Sequence, residues 1–104
     1  MIPHVYEGFS GLHNAAMDEG DALPRTTKEL IALTMSIGDH CEGCIAAHAR
    51  SLAHFGADPK EVAEGIGVAI MMMGGPGTTY GAKAWEAFSE FRQMLEERKA
   101  APSQ

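Results

Sequence analysis

The chain has 104 residues, 45% of them apolar and 21% charged, which suits one folded domain spanning residues 1–104 and excludes a disordered composition. Its formal net charge is −6 and its lysines and arginines nowhere form a run, so neither a nucleic-acid backbone nor an anionic membrane suits it as a partner. The longest mostly apolar stretch, Gly65 to Met73, has about half of the ~20 residues a membrane helix needs, and the start MIPHVYEGF lacks the basic-then-apolar layout of a secretion signal. The expected location is the cytoplasm.

In chain order, the glycines and prolines divide the sequence into about five helices. From Pro3 to about Glu19, Val5, Phe9, Leu12 and Ala16 recur at spacings of three and four, an amphipathic pattern with proline near its first turn. Gly8 and Gly11 weaken that pattern. After the connection GDALPR, Thr26 and Glu29 have the spacing of a capping box ahead of Leu30, Ile31, Leu33 and Ile37, with Gly38 at the end. Asp39 and Glu42 repeat the box, which predicts a third helix starting near His40 with Cys41 in its first turn and Gly56 as its stop. Asp58 and Pro59 open a fourth helix carrying Val62, Ile66, Ala69, Ile70 and Met73, closed by GGPG. A fifth, from about Thr78 to Lys99, presents Ala84, Trp85, Phe88, Phe91 and Leu95, and the tail from Ala100 to Gln104 reads as frayed. No stretch alternates with period two over a strand's length, so the expected fold class is all-α.

The chemistry concentrates in CEGCIAAH, Cys41 to His48, which holds both cysteines of the chain. On a helix, Cys41, Cys44 and His48 stand at i, i+3 and i+7, one stripe carrying two thiols and an imidazole. In a reducing compartment such a pair is more often redox-active or metal-binding than a staple. The short turn around Gly38 and Asp39 predicts an antiparallel hairpin of the second and third helices. Glu29 lies ten positions before Asp39 and His48 nine after it, so at ~1.5 Å rise per residue they reach nearly the same height. The expected line is Glu29, His48, Cys44, Cys41.

Such a line does what a lone thiol does poorly. A free thiol has a pKa near ~8.5, and a helix N-terminus or a neighbouring histidine stabilises its thiolate. The helix start favours Cys41 and the imidazole at i+4 favours Cys44. A carboxylate behind His48 orients the ring as a base. Once Cys44 is oxidised to a sulfenic acid, Cys41 can condense with it to a disulfide, which external thiols reopen.

From Ala22 to about Phe91 the sequence resembles the carboxymuconolactone decarboxylase-like superfamily and, within it, the AhpD-like alkylhydroperoxidase branch. The resemblance rests on Glu29, the CxxCxxxH of Cys41, Cys44 and His48, the following Phe55-Gly56-Ala57, and the flanking KELIAL and GVAIMMMGGP. It implies an AhpD-like helical subunit that assembles into homo-trimers or homo-hexamers and uses no cofactor. It implies peroxide attack by Cys44, resolution by Cys41 and a proton relay through Glu29 and His48, with a hydroperoxide as substrate and a thiol or dihydrolipoyl-type reductant as partner. One departure stands out: the branch's namesake carries a histidine directly before the second cysteine, where this chain has Gly43. His40 is a candidate to compensate.

Two other function classes stay open. A non-redox lyase of the ring-decarboxylating kind belongs to the same superfamily but as a rule lacks the cysteine pair. A metal-binding or redox-sensing module would take Cys41, Cys44 and His48 as ligands with a fourth from His40, His54 or another subunit. Met71 to Met73 fit gap-filling in a core or subunit interface, His4, His13 and His54 fit surface or packing roles, and Gly65 and Gly67 suggest close helix approach.

Overall fold

A computed structural model describes residues 2–100 of the chain. It consists of five helices: α1 (Pro3–Asp18), α2 (Arg25–Gly38), α3 (Glu42–His54), α4 (Pro59–Met73) and α5 (Gly75–Ala100). Among the described residues there is no strand, and no helix is long and apolar enough to cross a membrane. Ala100 ends α5, and the rest of the tail lies outside the described residues.

The core forms where α2 to α5 turn their apolar stripes inward. Leu33 and Ile37 of α2 meet Ile45, Ala49 and Leu52 of α3, Val62, Ile66 and Ala69 of α4, and Ala84 and Phe88 of α5. Gly65 is the point of closest approach between α4 and α2: a Cβ there would lie 2.8 Å from Leu30 Cδ1, so only a hydrogen lets the helices meet. Gly67 has no such neighbour and faces outward. The methionines are not core either. Met71 and Met72 are exposed, and Met73 reaches across to Gly38.

Two helix ends aim the hairpin. At the end of α2 the N–H groups of His40 and Cys41 donate to the carbonyls of Ile37 and Ser36, at 3.2 and 3.1 Å. That pair of bonds is a Schellman closure: α2 ends at Gly38 as the sequence predicts, and His40, at φ +55°, is the left-handed residue that closes it. The same closure ends α3, where Gly56 at φ +73° supplies the left-handed residue the sequence predicted.

Three predicted starts differ from the structure. The Thr26–Glu29 box is absent: α2 begins after Pro24 with no side-chain cap, because Glu29 is turned inward to other partners. The Asp39–Glu42 box is absent too, since Cys41 itself caps α3, its sulfur accepting the Cys44 N–H at 3.3 Å. Helix α5 begins at Gly75 rather than Thr78, because Pro76 is tolerated in a first turn, where its missing N–H costs nothing. The Asp58 cap on α4 is as predicted, its carboxylate accepting from Lys60 N–H at 2.9 Å.

Helix α1 stands apart. None of its described residues is buried, and the stripe of Val5, Phe9 and Leu12 points away from the core, each more than 60% exposed. What holds α1 is polar. Lys28 of α2 donates to the carbonyls of Ala16 and Glu19 at its C-terminal end, and Arg25 pairs with Asp18. The cation at the carbonyl end also suits the helix dipole.

Candidate active site

The hairpin brings Glu29 and His48 together. Glu29 Oε1 lies 2.7 Å from His48 Nδ1, and the carboxylate is completely buried while the imidazole is 18% exposed. With a carboxylate as acceptor, Nδ1 carries the proton of this bond, so Nε2 is the nitrogen left to take up or release one. The other carboxylate oxygen, Oε2, accepts from Arg25 Nε at 3.0 Å. A buried charge needs such partners on every lone pair it presents. The sequence spacing alone marks Arg25 as an i−4 neighbour of Glu29, a signal that the capping-box reading of Glu29 obscured.

Cys44, one turn before His48, is joined as a disulfide to Cys41, with their Cα atoms 5.2 Å apart. Their surroundings differ. Cys44 is exposed and forms part of the wall of a groove of about 660 Å³ together with Met35, Asp39, Ala69, Met72 and Met73. Cys41 is half-buried at the helix cap and does not line that groove. A thiolate at Cys41 would receive the Cys44 N–H, whereas Cys44 faces a largely apolar groove. Gly43 between them meets nothing within 4 Å of where a Cβ would be, so this position is open space.

Three neighbours complete the surroundings; His40 was a sequence candidate to compensate for Gly43 or to supply a fourth metal ligand, whereas His13 and Glu42 were not read from the sequence as parts of the site. His13 of α1 lies with its ring centroid 6.3 Å from that of His48 and nearly parallel to it, at 19°. No local pattern marks it, because its position depends on how α1 docks. His40 stacks its ring on Tyr80 of α5, centroids 4.5 Å apart and planes 3° apart, which ties the turn before Cys41 to α5. Glu42, between the cysteines, forms an ion pair with Lys83 of α5 at 2.8 Å. The hydrogen bond to Lys83, and then its charge, hold the Glu42 carboxyl below its ordinary value, and the same contact raises Lys83. Among the described residues, no three His, Cys, Asp or Glu side chains gather in a metal-holding group.

Residues 3–87 match the Carboxymuconolactone decarboxylase family. The chain belongs to that family. Its members include a protein of Legionella pneumophila whose apo crystal structure is 43% identical in sequence, with a TM-score of 0.83 over 88% of this chain and 80% of that one. A second family member, from Thermotoga maritima and described as having a possible part in an antioxidative response, is 28% identical with a TM-score of 0.80 over 94% and 82% of the two chains. A protein of Cupriavidus necator is 34% identical over 86 residues, which is 83% of this chain and 75% of the relative. The family's five-helix frame and the paired cysteines thus occur together in this chain.

Proposed function

We propose that the protein is a thiol-dependent peroxidase of the alkylhydroperoxidase type, with Cys44 attacking, Cys41 resolving and Glu29–His48 moving the protons. The observation that carries this reading is a closed cysteine pair set one helical turn before a histidine that a buried carboxylate holds at 2.7 Å. A non-redox lyase has no use for that pair.

In the first step the Cys44 thiolate attacks a hydroperoxide. The S–O bond forms, the O–O bond breaks, and the leaving alkoxide takes a proton from the His48 imidazolium to depart as an alcohol. Cys44 is then a sulfenic acid. Cys41 passes its proton to His48 and attacks the sulfenic sulfur, so that the S–S bond forms and hydroxide leaves as water with that proton. An external dithiol reopens the disulfide by two exchanges and ends as its own cyclic disulfide, a reaction suited to a dihydrolipoyl group. The apolar groove at Cys44 favours a hydroperoxide with an apolar tail.

The same reading places the work in the cytoplasm, where dithiol reductants are kept reduced, and in a homo-trimer or homo-hexamer, supported by the uncovered apolar stripe of α1. The test is stoichiometric: one equivalent of cumene hydroperoxide added to reduced protein should consume both thiols and give the intramolecular disulfide. Cys41→Ser should stop at a sulfenic acid that dimedone traps on Cys44. Peroxide consumption by Cys44→Ser at the parent rate would sink the assignment.

A further inference from the structure

Arg25 touches more of the site than its place at the start of α2 requires. Its Nε donates to Glu29 Oε2 at 3.0 Å, its terminal nitrogen pairs with Asp18 of α1, and its guanidinium lies 4.7 Å over the ring of Phe55. The three contacts spread the guanidinium between the buried carboxylate, the end of α1 and the end of α3. Lys28 ties the same end of α1 to α2, and α1 in turn holds His13 beside His48.

We propose that Arg25 is a positioning residue for the Glu29–His48 pair, clamping the carboxylate for the imidazole and, through Asp18, making that clamp depend on the docking of α1. The inference rests on the reading of Glu29–His48 as the site's acid–base pair. Glu29 has two oxygens, and Arg25 fixes the one His48 does not use, so the carboxylate cannot swing away from the ring. Without the guanidinium the imidazole is the carboxylate's sole hydrogen-bond partner among the described side chains, and rotation of the carboxylate breaks that bond. Asp18 is more than half exposed, so its pull on Arg25 is the weaker half of the clamp.

The test measures alkylation of Cys44 by iodoacetamide in reduced protein, resolved from Cys41 by peptide mass spectrometry, which needs no peroxide. Arg25→Gln should slow it about tenfold in the parent and add nothing in a His48→Ala background, since Arg25 acts through that ring. Arg25→Lys should recover to roughly a third of the parent rate, because an ammonium at i−4 still reaches Glu29 but cannot fork to Asp18 as well. Asp18→Asn should slow the parent roughly threefold and leave Arg25→Lys unchanged. Equal slowing by Arg25→Gln in the parent and in His48→Ala would overturn the proposal, as would an unchanged rate in the folded variant. Should Arg25→Gln not fold, equal slowing by Asp18→Asn in the parent and in Arg25→Lys overturns it alone. A His48→Ala protein alkylated at the parent rate would overturn the acid–base reading itself, and the proposal with it.

Discussion

Glu29 is a carboxylate with no exposure, placed where an apolar core begins. Its burial is tolerable because His48 and Arg25 engage both oxygens, and the same arrangement leaves both partners dependent on it. Glu29→Ala should therefore cost about 3 kcal/mol of unfolding free energy in urea titration, since it leaves a half-buried guanidinium and imidazole without their acceptor. Glu29→Gln keeps the shape and one acceptor and should cost about half as much. Gly43 lies at the opposite extreme, in the first turn of α3 with open space where a side chain would be. Gly43→Ala should stabilise the protein by about 0.5–1 kcal/mol, measured the same way, because it removes backbone freedom from the unfolded chain and meets nothing in the folded one. Gly43→His, the residue of the alkylhydroperoxidase namesake, starts from the same open Cβ position and should raise the rate of thiol oxidation by peroxide; an unchanged rate would show that the position has no part in the chemistry.

Between elements, the ties around α3 decide how the cysteines are held. The Lys83–Glu42 pair joins the first turn of α3 to α5, and its contribution to stability has a definite pH dependence. Because Glu42 is lowered when folded, the contribution is present above its ordinary value of 4.5 and is lost as the pH falls through the lowered value. Because Lys83 is raised, it is also lost as the pH climbs from 10.5 through the raised value. Lys83→Met should thus narrow the gap between melting temperatures at neutral and acid pH; a gap as wide as the parent's would show that the tie is idle. Gly65→Ala should cost about 1 kcal/mol, read from the urea midpoint, because Leu30 must leave its rotamer to admit a methyl group. At this scale the sequence was informative wherever a local signal had one use. Asp58-Pro59 and Gly56 marked their helix ends because nothing else competes for those residues. The Thr26–Glu29 spacing misled because a buried partner nineteen positions away takes the carboxylate, and no local pattern contains that partner. The equal heights of Glu29 and His48 on either side of Gly38 and Asp39 did mark the pair, since a short turn converts sequence distance into spatial register. His13 was out of reach for the converse reason: the connection from Glu19 to Pro24 leaves the direction of α1 open, and polar contacts made only in the folded chain set it.

For the molecule as a whole, α1 poses the main physical problem. A sixteen-residue helix is marginal in water by itself, and this one buries none of its described residues. Its ties to α2 are two cationic side chains at one end, while Val5, Tyr6, Phe9 and Leu12 stand uncovered along its length. Surface ion pairs contribute at most about 1 kcal/mol each, whereas covering those four side chains is worth roughly 1.5–3 kcal/mol apiece for full burial. The arrangement is consistent with a helix completed by another copy of the chain. The protein should accordingly sediment as an oligomer, and Phe9→Asp combined with Leu12→Asp should shift it to monomer with a loss of helical circular dichroism corresponding to α1. Since Arg25 links α1 to Glu29, that dissociation should also slow Cys44 alkylation, and it should do so less in Arg25→Lys, where the link through Asp18 is already cut. A monomeric parent protein that keeps α1 helical would refute the assembly argument, and a monomeric variant with unchanged Cys44 reactivity would separate α1 from the site.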